Sequence, residues 1–453
     1  MELLHQRSRP GADGTSLRRV ALASYVGSAI EFYDFFIYGP AAALVFPTVF
    51  FPNLGPTMAA VASLSTFAAA FLARPIGAAV FGHFGDRIGR KQTLVWTLVI
   101  MGASSVGVGL IPSTATIGVA APLLLIAMRL LQGFAVGGEW AGAALLSAEQ
   151  APQGRRGYYG MFTQLGLGTA LVLANLVFLA VHGTFRDTSS AFLQWGWRIP
   201  FLLSAVLLAV ALHVRLHLTE SPVFAEAAAT PAHSAMPISE ALRQQGREVV
   251  LAAGAVVGMF MLAFQAGTYI PNYASTHLAY SEGLILLVGV LGGLCSLVFV
   301  AASAILSDTY GRRRVLLLGF ALTLPWSLLL LPLIQTGNPV VYGFTIMGTY
   351  AIIGITMGPL AAFIPEIFAT RYRWTGTGVS YNIGGIVGGA IPPVISPALL
   401  SCYGTWSIAL LMAGLVVVSL VSVLLLSETA GRGLRSGAAA VAFIPVLRAP
   451  AAS

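Results

Sequence analysis

Long apolar runs recur along the whole chain, and this feature restricts what it can fold into. A helix that crosses a bilayer needs about 20 mainly apolar residues, and twelve such stretches can be placed. Backbone polar groups cannot stay unpaired in hydrocarbon, so the runs predict helices. The predicted spans cover approximately residues 19–44, 58–84, 92–111, 119–149, 157–182, 196–216, 249–272, 283–306, 315–335, 339–367, 376–400 and 404–427.

Composition supports the membrane assignment and excludes several functional classes. Charged residues make up 9% of the chain, whereas an average soluble domain has about 25%. The net charge of +8 comes from short basic clusters between apolar runs, so we expect no nucleic-acid partner. The two cysteines, Cys295 and Cys402, lie in different segments and give no disulfide or metal-ligand pattern. We therefore expect no metal and no cofactor.

The distribution of lysine and arginine predicts the orientation. One set of alternate loops and tails holds 20 of the 24 basic residues, the other set holds only Arg186 and Arg198, and two more lie inside spans. Loops rich in basic residues stay in the cytoplasm. Both termini are therefore predicted to be cytoplasmic in an inner-membrane protein, which requires an even number of spans.

A polar segment halfway along the chain, 217–248, divides it into two halves. The predicted organisation is a cytoplasmic tail, a six-helix bundle, a central cytoplasmic loop, a second six-helix bundle and a second cytoplasmic tail, at residues 1–18, 19–216, 217–248, 249–427 and 428–453 respectively.

The two halves repeat short charged motifs in the same order. GHFGDRIGRKQ (82–92) is echoed by SDTYGRRRV (307–315), Glu149 with its following arginines by Glu366, and LTESP (218–222) by LSETA (426–430). Three matches in register predict a duplicated six-helix unit in parallel topology.

Longer strings carry a family resemblance. They are SAIEFYDFFIYG (28–39), FLARPIGAAVFGHFGDRIGRK (71–91), RLLQGFAVGGEWAGAALLSAE (129–149) and WGWRIPF (195–201). With the 6 + 6 layout, they resemble the major facilitator superfamily. Within it they resemble the metabolite:proton symporter branch, which includes carriers of shikimate, 2-oxoglutarate, citrate, proline and betaine. The resemblance covers nearly the whole chain. It implies an all-α membrane protein with two pseudo-symmetric six-helix bundles, and it does not identify the substrate.

Five charged residues lie within the predicted spans and away from their ends, where an unpaired charge costs about 2.5–3.5 kcal/mol. Glu31 and Asp34 share one face of the first helix, and Arg74 and Arg129 lie near the middle of the second and fourth helices. If the four converge on one aqueous cavity, the carboxylates can pair with arginine and carry a proton in one state of the cycle. The arginines can bind a substrate carboxylate. A structural ion-pair network is the alternative.

The fifth charge, Glu139, lies about 15 Å nearer the cytoplasm than Arg129, at roughly 1.5 Å per residue. It is either a second proton relay or the partner of a loop arginine. The C-terminal half offers only neutral candidates for substrate binding, and each could equally be a packing residue. They are Gln265, Tyr269, Asn272, Tyr381 and Asn382.

The resemblance implies a cytoplasmic gate at the loop between the second and third helices. Asp86 is expected to accept hydrogen bonds from the N-terminus of a neighbouring helix, and Arg90 and Lys91 to pair with Glu149 or with helix C-terminal carbonyls. The second copy departs from the motif at Ser307 and Thr309, so its gating role is less well supported. The predicted gate residues are Gly82, Gly85, Asp86, Arg87, Gly89, Arg90, Lys91, Glu149, Arg155, Asp308, Arg312 and Glu366.

These observations predict a monomeric secondary transporter that takes up a small polar metabolite, favoured to be a carboxylate, together with a proton. The proton gradient would supply the driving force. A proline or betaine symporter and an exporter of drugs or metabolites remain alternatives. No nucleophile–base arrangement supports an enzyme.

Overall fold

The structure, a computed structural model, describes residues 14–88, 90–152, 154–185, 191–216, 237–370 and 373–431. In this part of the chain the regular structure is entirely helical. Twelve of the helical segments are long and apolar enough to cross a membrane, as the sequence predicts. The predicted all-α fold class is confirmed.

The N-terminal half contributes the first six spanning helices. They are α1 (Gly14–Leu44), α2 (Pro56–Ile88), α3 (Arg90–Leu110), α4 (Ala120–Gln150), α5 (Arg156–Thr184) and α6 (Arg198–Leu216), the last preceded by a π-helical turn, Phe192–Gly196.

The C-terminal half contributes six more, three of which are interrupted. They are α7 (Pro237–Phe264, continued by Gln265–Tyr269 and Ile270–His277), α8 (Glu282–Tyr310), α9 (Arg312–Ile334), α10 (Pro339–Met357, continued by Leu360–Ile367), α11 (Arg373–Gly385, continued by Ile386–Ala390 and Ile391–Tyr403) and α12 (Thr405–Leu425).

Helices α7 and α11 each contain a π-helical turn followed at once by a proline. The turn Gln265–Tyr269 precedes Pro271, and the turn Ile386–Ala390 precedes Pro392. Proline has no backbone N–H and its ring crowds the preceding turn, so the helix widens there rather than continuing its regular ladder. Both interruptions therefore follow from the sequence.

Helix α7 begins earlier than the sequence predicts. The segment 217–248 is predicted as a loop, but a helix already starts at Pro237 and runs into the span, with one non-helical residue at Gln245 (φ −130°, ψ 33°). Apolar content marks only the part of a helix that lies in hydrocarbon. A polar helix end continues as long as its backbone hydrogen bonds do.

The two halves meet along α2 and α4 against α11, and along α5 against α8. Successive spans run in opposite directions, so the helix ends at Ile88, Gln150 and Leu216 lie on the side where α1 begins. We call this side the terminal face and the other side the opposite face. Glycines allow close contact within the halves: a Cβ on Gly77 of α2 would overlap the backbone of Phe134 in α4.

Candidate functional site

Asp34 lies in a hydrogen-bond network inside the N-terminal half. Its carboxylate accepts hydrogen bonds from Ser204 Oγ of α6, at 2.8 Å, and from Ser105 Oγ of α3. Gln132 Nε2 of α4 donates to Ser105 Oγ at 2.7 Å, and Arg129 Nη1 donates to Gln132 Oε1. Asp34 and Arg129 are thus joined through two neutral side chains, not by the direct ion pair that the sequence suggests.

Arg129 is enclosed by aromatic rings of its own half. It is fully buried, and its guanidinium carbon lies 3.6 Å from the centre of the Tyr38 ring and somewhat further from Phe35 and Phe67. Such cation–π contacts stabilise a desolvated cation. Its Nε and Nη2 are buried without a hydrogen-bond partner among the described residues, and its substrate role stays a prediction.

Glu31 and Arg74 form a different arrangement. Both are buried, and neither makes a hydrogen bond, or an ion pair within 4.0 Å, to any residue that the structure describes. The Arg74 guanidinium carbon lies 4.2 Å from the centre of the Phe35 ring and 4.5 Å from that of the Phe71 ring. The Glu31 carboxylate is near enough for the two charges to interact. This is a cation and an acid held close together with their polar atoms uncommitted.

Tyr381 of α11 brings the C-terminal half to this pair. Its hydroxyl is buried, has no hydrogen-bond partner within the described ranges, and lies within electrostatic range of Glu31 and Arg74. Its ring is stacked on Trp140 of α4 with a centroid distance of 3.5 Å and an interplanar angle of 4°. Phe260 of α7 contacts the same ring edge-to-face at 4.8 Å. The structure therefore brings three of the predicted residues together at the interface of the halves.

The other neutral candidates are placed differently. Gln265 Nε2 donates to Ser396 Oγ at 2.8 Å, while its Oε1 is buried without a described partner, as is the hydroxyl of Tyr269. Asn382 Nδ2 donates to the carbonyl oxygens of Gly137, across the interface at 2.9 Å, and of Gly378. The amide nitrogen of Asn382 is thus committed to helix packing.

A cavity of about 210 Å³ lies between the halves, closer to the opposite face. The four intramembrane charges predicted to share one cavity do not line it. Its lining combines aliphatic and aromatic side chains with neutral polar groups. Asn272, a candidate from the sequence, is among them. The lining includes Phe36, Asn175, Phe178, Thr268, Asn272, Ser275, Tyr342 and Tyr350, with His182 and Glu282 from the ends of α5 and α8.

Glu139 has the arginine partner that the sequence left open. Its carboxylate pairs with Arg215 in the last turn of α6 and accepts a hydrogen bond from Thr97 Oγ1 of α3. Arg215 also donates to the carbonyl oxygen of Leu94 at 2.7 Å. Glu139 and Arg215 lie within electrostatic range of Glu31, on its terminal-face side.

At the terminal face, Asp308 links the two halves. Its two carboxylate oxygens accept hydrogen bonds from the backbone N–H groups of Gly157 and Tyr158, both at 2.8 Å, in the first turn of α5. The positive end of the helix dipole favours an anion at this position. The sequence assigns such an interaction to Asp86, whose side chain lies outside the described part, and the structure shows the same kind of contact at Asp308 in the second copy of the motif.

A second contact across the halves joins Arg156 to Glu366 at 3.2 Å. Glu366 is also close to Arg312, at 3.6 Å, and accepts a hydrogen bond from Thr429 Oγ1 at 2.7 Å. Arg312 in turn pairs with Asp308 at 2.8 Å. We refer to Asp308, Arg312 and Glu366 with Arg156 and the start of α5 as the latch. Its members are mostly buried, so the terminal face is closed in this structure.

Two residues of α11 pack against glycines of the gate motif. A Cβ on Gly85 would lie 2.6 Å from Trp374 Cζ3, and a Cβ on Gly82 would lie 3.0 Å from Thr375 Oγ1. A Cβ on Gly142 of α4 would lie 2.6 Å from Trp374 Cζ2. The glycines therefore leave room for a fully buried tryptophan from the other half.

Several predicted gate residues lie elsewhere or outside the described part. Gly89 and the side chains of Asp86, Arg87 and Arg90 belong to the latter group. Lys91 Nζ donates to the carbonyl oxygen of Leu216 at 2.8 Å, one of the partners expected for it. Glu149 lies in the last turn of α4.

Arg155 is exposed beside the start of α5, and the neighbouring Arg156 makes the contact across the halves instead. The reason is the helix geometry, since only the second of the two adjacent arginines faces the other half. Sequence reasoning also missed Trp140, although it adjoins Glu139 in GGEWAG. It missed Trp374 as well, which no charge pattern marks.

The comparisons with known proteins agree with this geometry. The chain matches the family described as sugar (and other) transporter over residues 20–245 and 228–439. It is 41% identical over 423 residues to the inner membrane metabolite transport protein YhjE of Escherichia coli (strain K12), covering 91% of this chain and 95% of that protein. It is 36% identical to the shikimate transporter of the same strain, covering 93% of this chain and 98% of the relative.

Among solved structures, the fold is similar to that of the proton:xylose symporter XylE of E. coli, with a TM-score of 0.73 at 17% identity. The similarity covers 93% of this chain and 98% of that one. The sequence matches, the twelve spans and the shared fold together lead to one conclusion: the chain belongs to the sugar (and other) transporter family and has the twelve-helix fold of the major facilitator superfamily.

Proposed function

We propose that this chain is a proton-coupled symporter of the inner membrane that takes up a small carboxylate by alternating access, with both termini in the cytoplasm. The observation that carries the proposal is the Glu31–Arg74 pair, buried at the interface of the halves with its polar atoms uncommitted. The relatives that transport metabolites and shikimate support the substrate class. We expect the transporter to act as a monomer.

Glu31 is the better candidate for the coupling proton. A buried carboxylate without a hydrogen bond is costly to keep ionised, because it has lost its hydration and gained no partner. Binding a proton removes that cost. Asp34, by contrast, accepts two hydrogen bonds inside its own half. Protonation of Glu31 is therefore favourable, and the residue lies between the moving halves.

Arg74 is the better candidate for the substrate carboxylate. Its guanidinium carbon packs on the rings of Phe35 and Phe71, and its buried Nε has no partner among the described residues, so the N–H edge of the group remains available for hydrogen bonds. A carboxylate matches this edge with two parallel hydrogen bonds. Arg129 already donates to Gln132 and is surrounded by the N-terminal bundle. A substrate bound at Arg74 would also meet the free hydroxyl of Tyr381.

The conformation fits uptake from the opposite face. The latch closes the terminal face, whereas the cavity lies between the halves near the opposite face. Twenty basic residues on the terminal-face side against two predict that this side is the cytoplasm. The structure would then be an outward-facing state, ready to receive substrate and proton from outside.

Uptake into proteoliposomes tests the proposal. Shikimate, 2-oxoglutarate, citrate and glycine betaine are offered with and without an imposed proton gradient. We expect the gradient to drive accumulation of at least one carboxylate. Accumulation that is indifferent to the gradient would reject symport and leave a facilitator, and movement of compounds only outward would favour an exporter.

Matched variants separate the two roles. Glu31→Gln should abolish accumulation driven by the gradient but retain exchange of substrate between equal concentrations, because exchange needs no net proton movement. Asp34→Asn is the control carboxyl on the same helix and should retain gradient-driven uptake in the protein that remains folded. Arg74→Ala should lose both activities, whereas exchange that persists in Arg74→Ala would contradict its role in binding.

A betaine symporter is the second candidate, because two further aromatic rings pack on Tyr381, which lies within electrostatic range of Glu31. Trp140, Phe260 and Tyr381 lie on one side of the site and could accommodate a quaternary ammonium group by cation–π contacts. Such a ligand would place its cation towards Glu31 and its carboxylate on Arg74. The uptake panel separates the candidates, since glycine betaine would then be accumulated in preference to the acids.

A further inference from the structure

The stack of Trp140 on Tyr381 is an interaction between the halves directly beside the candidate site. Trp140 belongs to α4 in the N-terminal half and Tyr381 to α11 in the C-terminal half, and both are about 2% exposed. Their rings are parallel and at van der Waals distance. Any opening of the terminal face that separates α4 from α11 must separate these rings.

The stack lies on the terminal-face side of Arg74. On α11, a Cβ at Gly385 would be 3.9 Å from Arg74 Nη1. Tyr381 is four residues nearer the start of α11, which is about 6 Å at roughly 1.5 Å per residue. Beyond it, Gly378 faces Ala78 and Ala141. The tyrosine ring thus forms the base of the site, with its hydroxyl in range of Arg74 and its face on Trp140.

Trp140 is itself held by hydrogen bonds that reach the other half. Its Nε1 donates to Gln164 Oε1 of α5 at 3.0 Å, and Gln164 Nε2 donates to the carbonyl oxygen of Met357 in α10 at 2.7 Å. Asn382, next to Tyr381, donates to the carbonyl oxygen of Gly137, three residues before Trp140. Each ring therefore stands beside a hydrogen bond that exists only while the halves are together, from Gln164 to Met357 and from Asn382 to Gly137.

The Tyr381 hydroxyl is the one polar atom of the stack with no partner among the described residues. A buried hydroxyl without a hydrogen bond has lost its hydration without compensation, and an acceptor oxygen of a ligand would relieve that cost. The ring can present this hydroxyl to a ligand only from the position that Trp140 imposes.

We propose that Trp140 is a positioning residue: it holds the hydroxyl of Tyr381 in the substrate-binding site only when the terminal face is closed. Opening that face separates the rings, removes the hydroxyl from the site and lowers affinity where substrate is released. The inference rests on the proposed function, because it takes the Arg74–Glu31 site as the place where substrate binds.

A double-mutant cycle tests the positioning role, with shikimate as the probe and the apparent KM of uptake as the readout. Tyr381→Phe keeps the stack and removes the hydroxyl, and we expect KM to rise about 5-fold, the loss of one hydrogen bond. Trp140→Leu should raise KM in the parent, and by a clearly smaller factor in the Tyr381→Phe background, where the hydroxyl that it positions is already gone. Trp140→Phe should restore most of the affinity. Independent, additive effects of the two changes would overturn the inference.

A second measurement needs no substrate. Spin labels at Gln92 and Arg314, exposed helix-end positions of the two halves, report their separation at the terminal face in a background without the two native cysteines. We expect Trp140→Leu to shift the population towards the open distance about 5-fold, as for the loss of one aromatic pair. Trp197→Leu is the control, because Trp197 is equally buried but packs on Phe46 within one half, and it should leave the distance unchanged.

The two measurements keep the inference separate from the proposed function. If no compound of the panel is transported but Trp140→Leu opens the terminal face, the substrate assignment fails. The stack of Trp140 on Tyr381 is then still shown to help hold the terminal face closed. If shikimate is transported and Trp140→Leu changes neither KM nor the distance, the inference fails and the proposed function stands.

Discussion

Replacing Arg156 by alanine should open the terminal face, because this side chain carries the ion pair that joins the halves. Arg156 Nη1 lies 3.2 Å from Glu366, and both side chains are almost fully buried. The change removes the ion pair between the halves but does not leave Glu366 unpaired, because Glu366 keeps its contacts with Arg312 and Thr429 within its own half. The loss should therefore appear in the balance between open and closed states more than in the folding of either half.

The size of the shift follows from the contact. A hydrogen bond between charged groups contributes about 1.5–3 kcal/mol. The like charge of Arg373 lies within electrostatic range of Arg156, so we take a value in the lower part of that range, about 2 kcal/mol. At about 1.4 kcal/mol per tenfold, the ratio of open to closed molecules should rise about 30-fold.

Pulsed electron paramagnetic resonance measures this ratio. Labels at Gln92 and Arg314, in the background without Cys295 and Cys402, give one distance for the closed terminal face and a longer one when the halves separate. Arg156→Ala should transfer most of the signal to the longer distance if the closed state is favoured by no more than the energy removed.

Arg155→Ala is the matched control, because it removes the same charge one residue earlier from an exposed position. It should leave the distance distribution close to that of the parent. Equal shifts in the two variants would mean that net charge, and not the buried pair, sets the balance. No shift in either would refute the latch as the element that holds the face closed.

Further predictions concern packing, stability and coupling. Gly85→Ala places a methyl group against Trp374 and should slow uptake, and Trp374→Phe should partly restore it in the same protein, as initial rates will show. Arg215→Ala leaves Glu139 buried without its cation and should lower the free energy of unfolding by about 3–5 kcal/mol, seen as a lower Tm in detergent, whereas an unchanged Tm would argue against the pair as a structural element. Ser105→Ala should also lower Tm but leave the gradient dependence of uptake intact, which a loss of that dependence would contradict.

The sequence predicted the fold well because both the spans and the duplication of the halves leave strong local signals in it. Spans are visible as apolar runs, since every residue of a membrane helix meets lipid or other helices. The duplicated halves are visible in repeated loop charges such as Asp86 and Asp308. The same local rules failed at Pro237, where the helix begins outside the hydrocarbon and apolar content no longer reports it.

The site was predictable in its residue types and not in its pairings. A charge inside a span is unusual enough to mark Glu31, Asp34, Arg74 and Arg129 individually. Which of them face each other depends on helix rotation and crossing, and neither quantity is encoded in sequence spacing. The structure therefore separates Asp34, bonded within its own half, from Glu31, which lies within electrostatic range of Tyr381 in the other half.

The sequence by itself determined that the chain lies in a membrane, how many helices cross it, which family it belongs to and which charges lie inside the spans. These properties depend on residue type and on short sequence patterns. Only the tertiary structure decided that Arg156 and not Arg155 joins the halves, that Asp308 caps α5, and that Trp140 meets Tyr381. Each of these contacts connects residues more than 100 positions apart, and their formation depends on how two bundles close on one another.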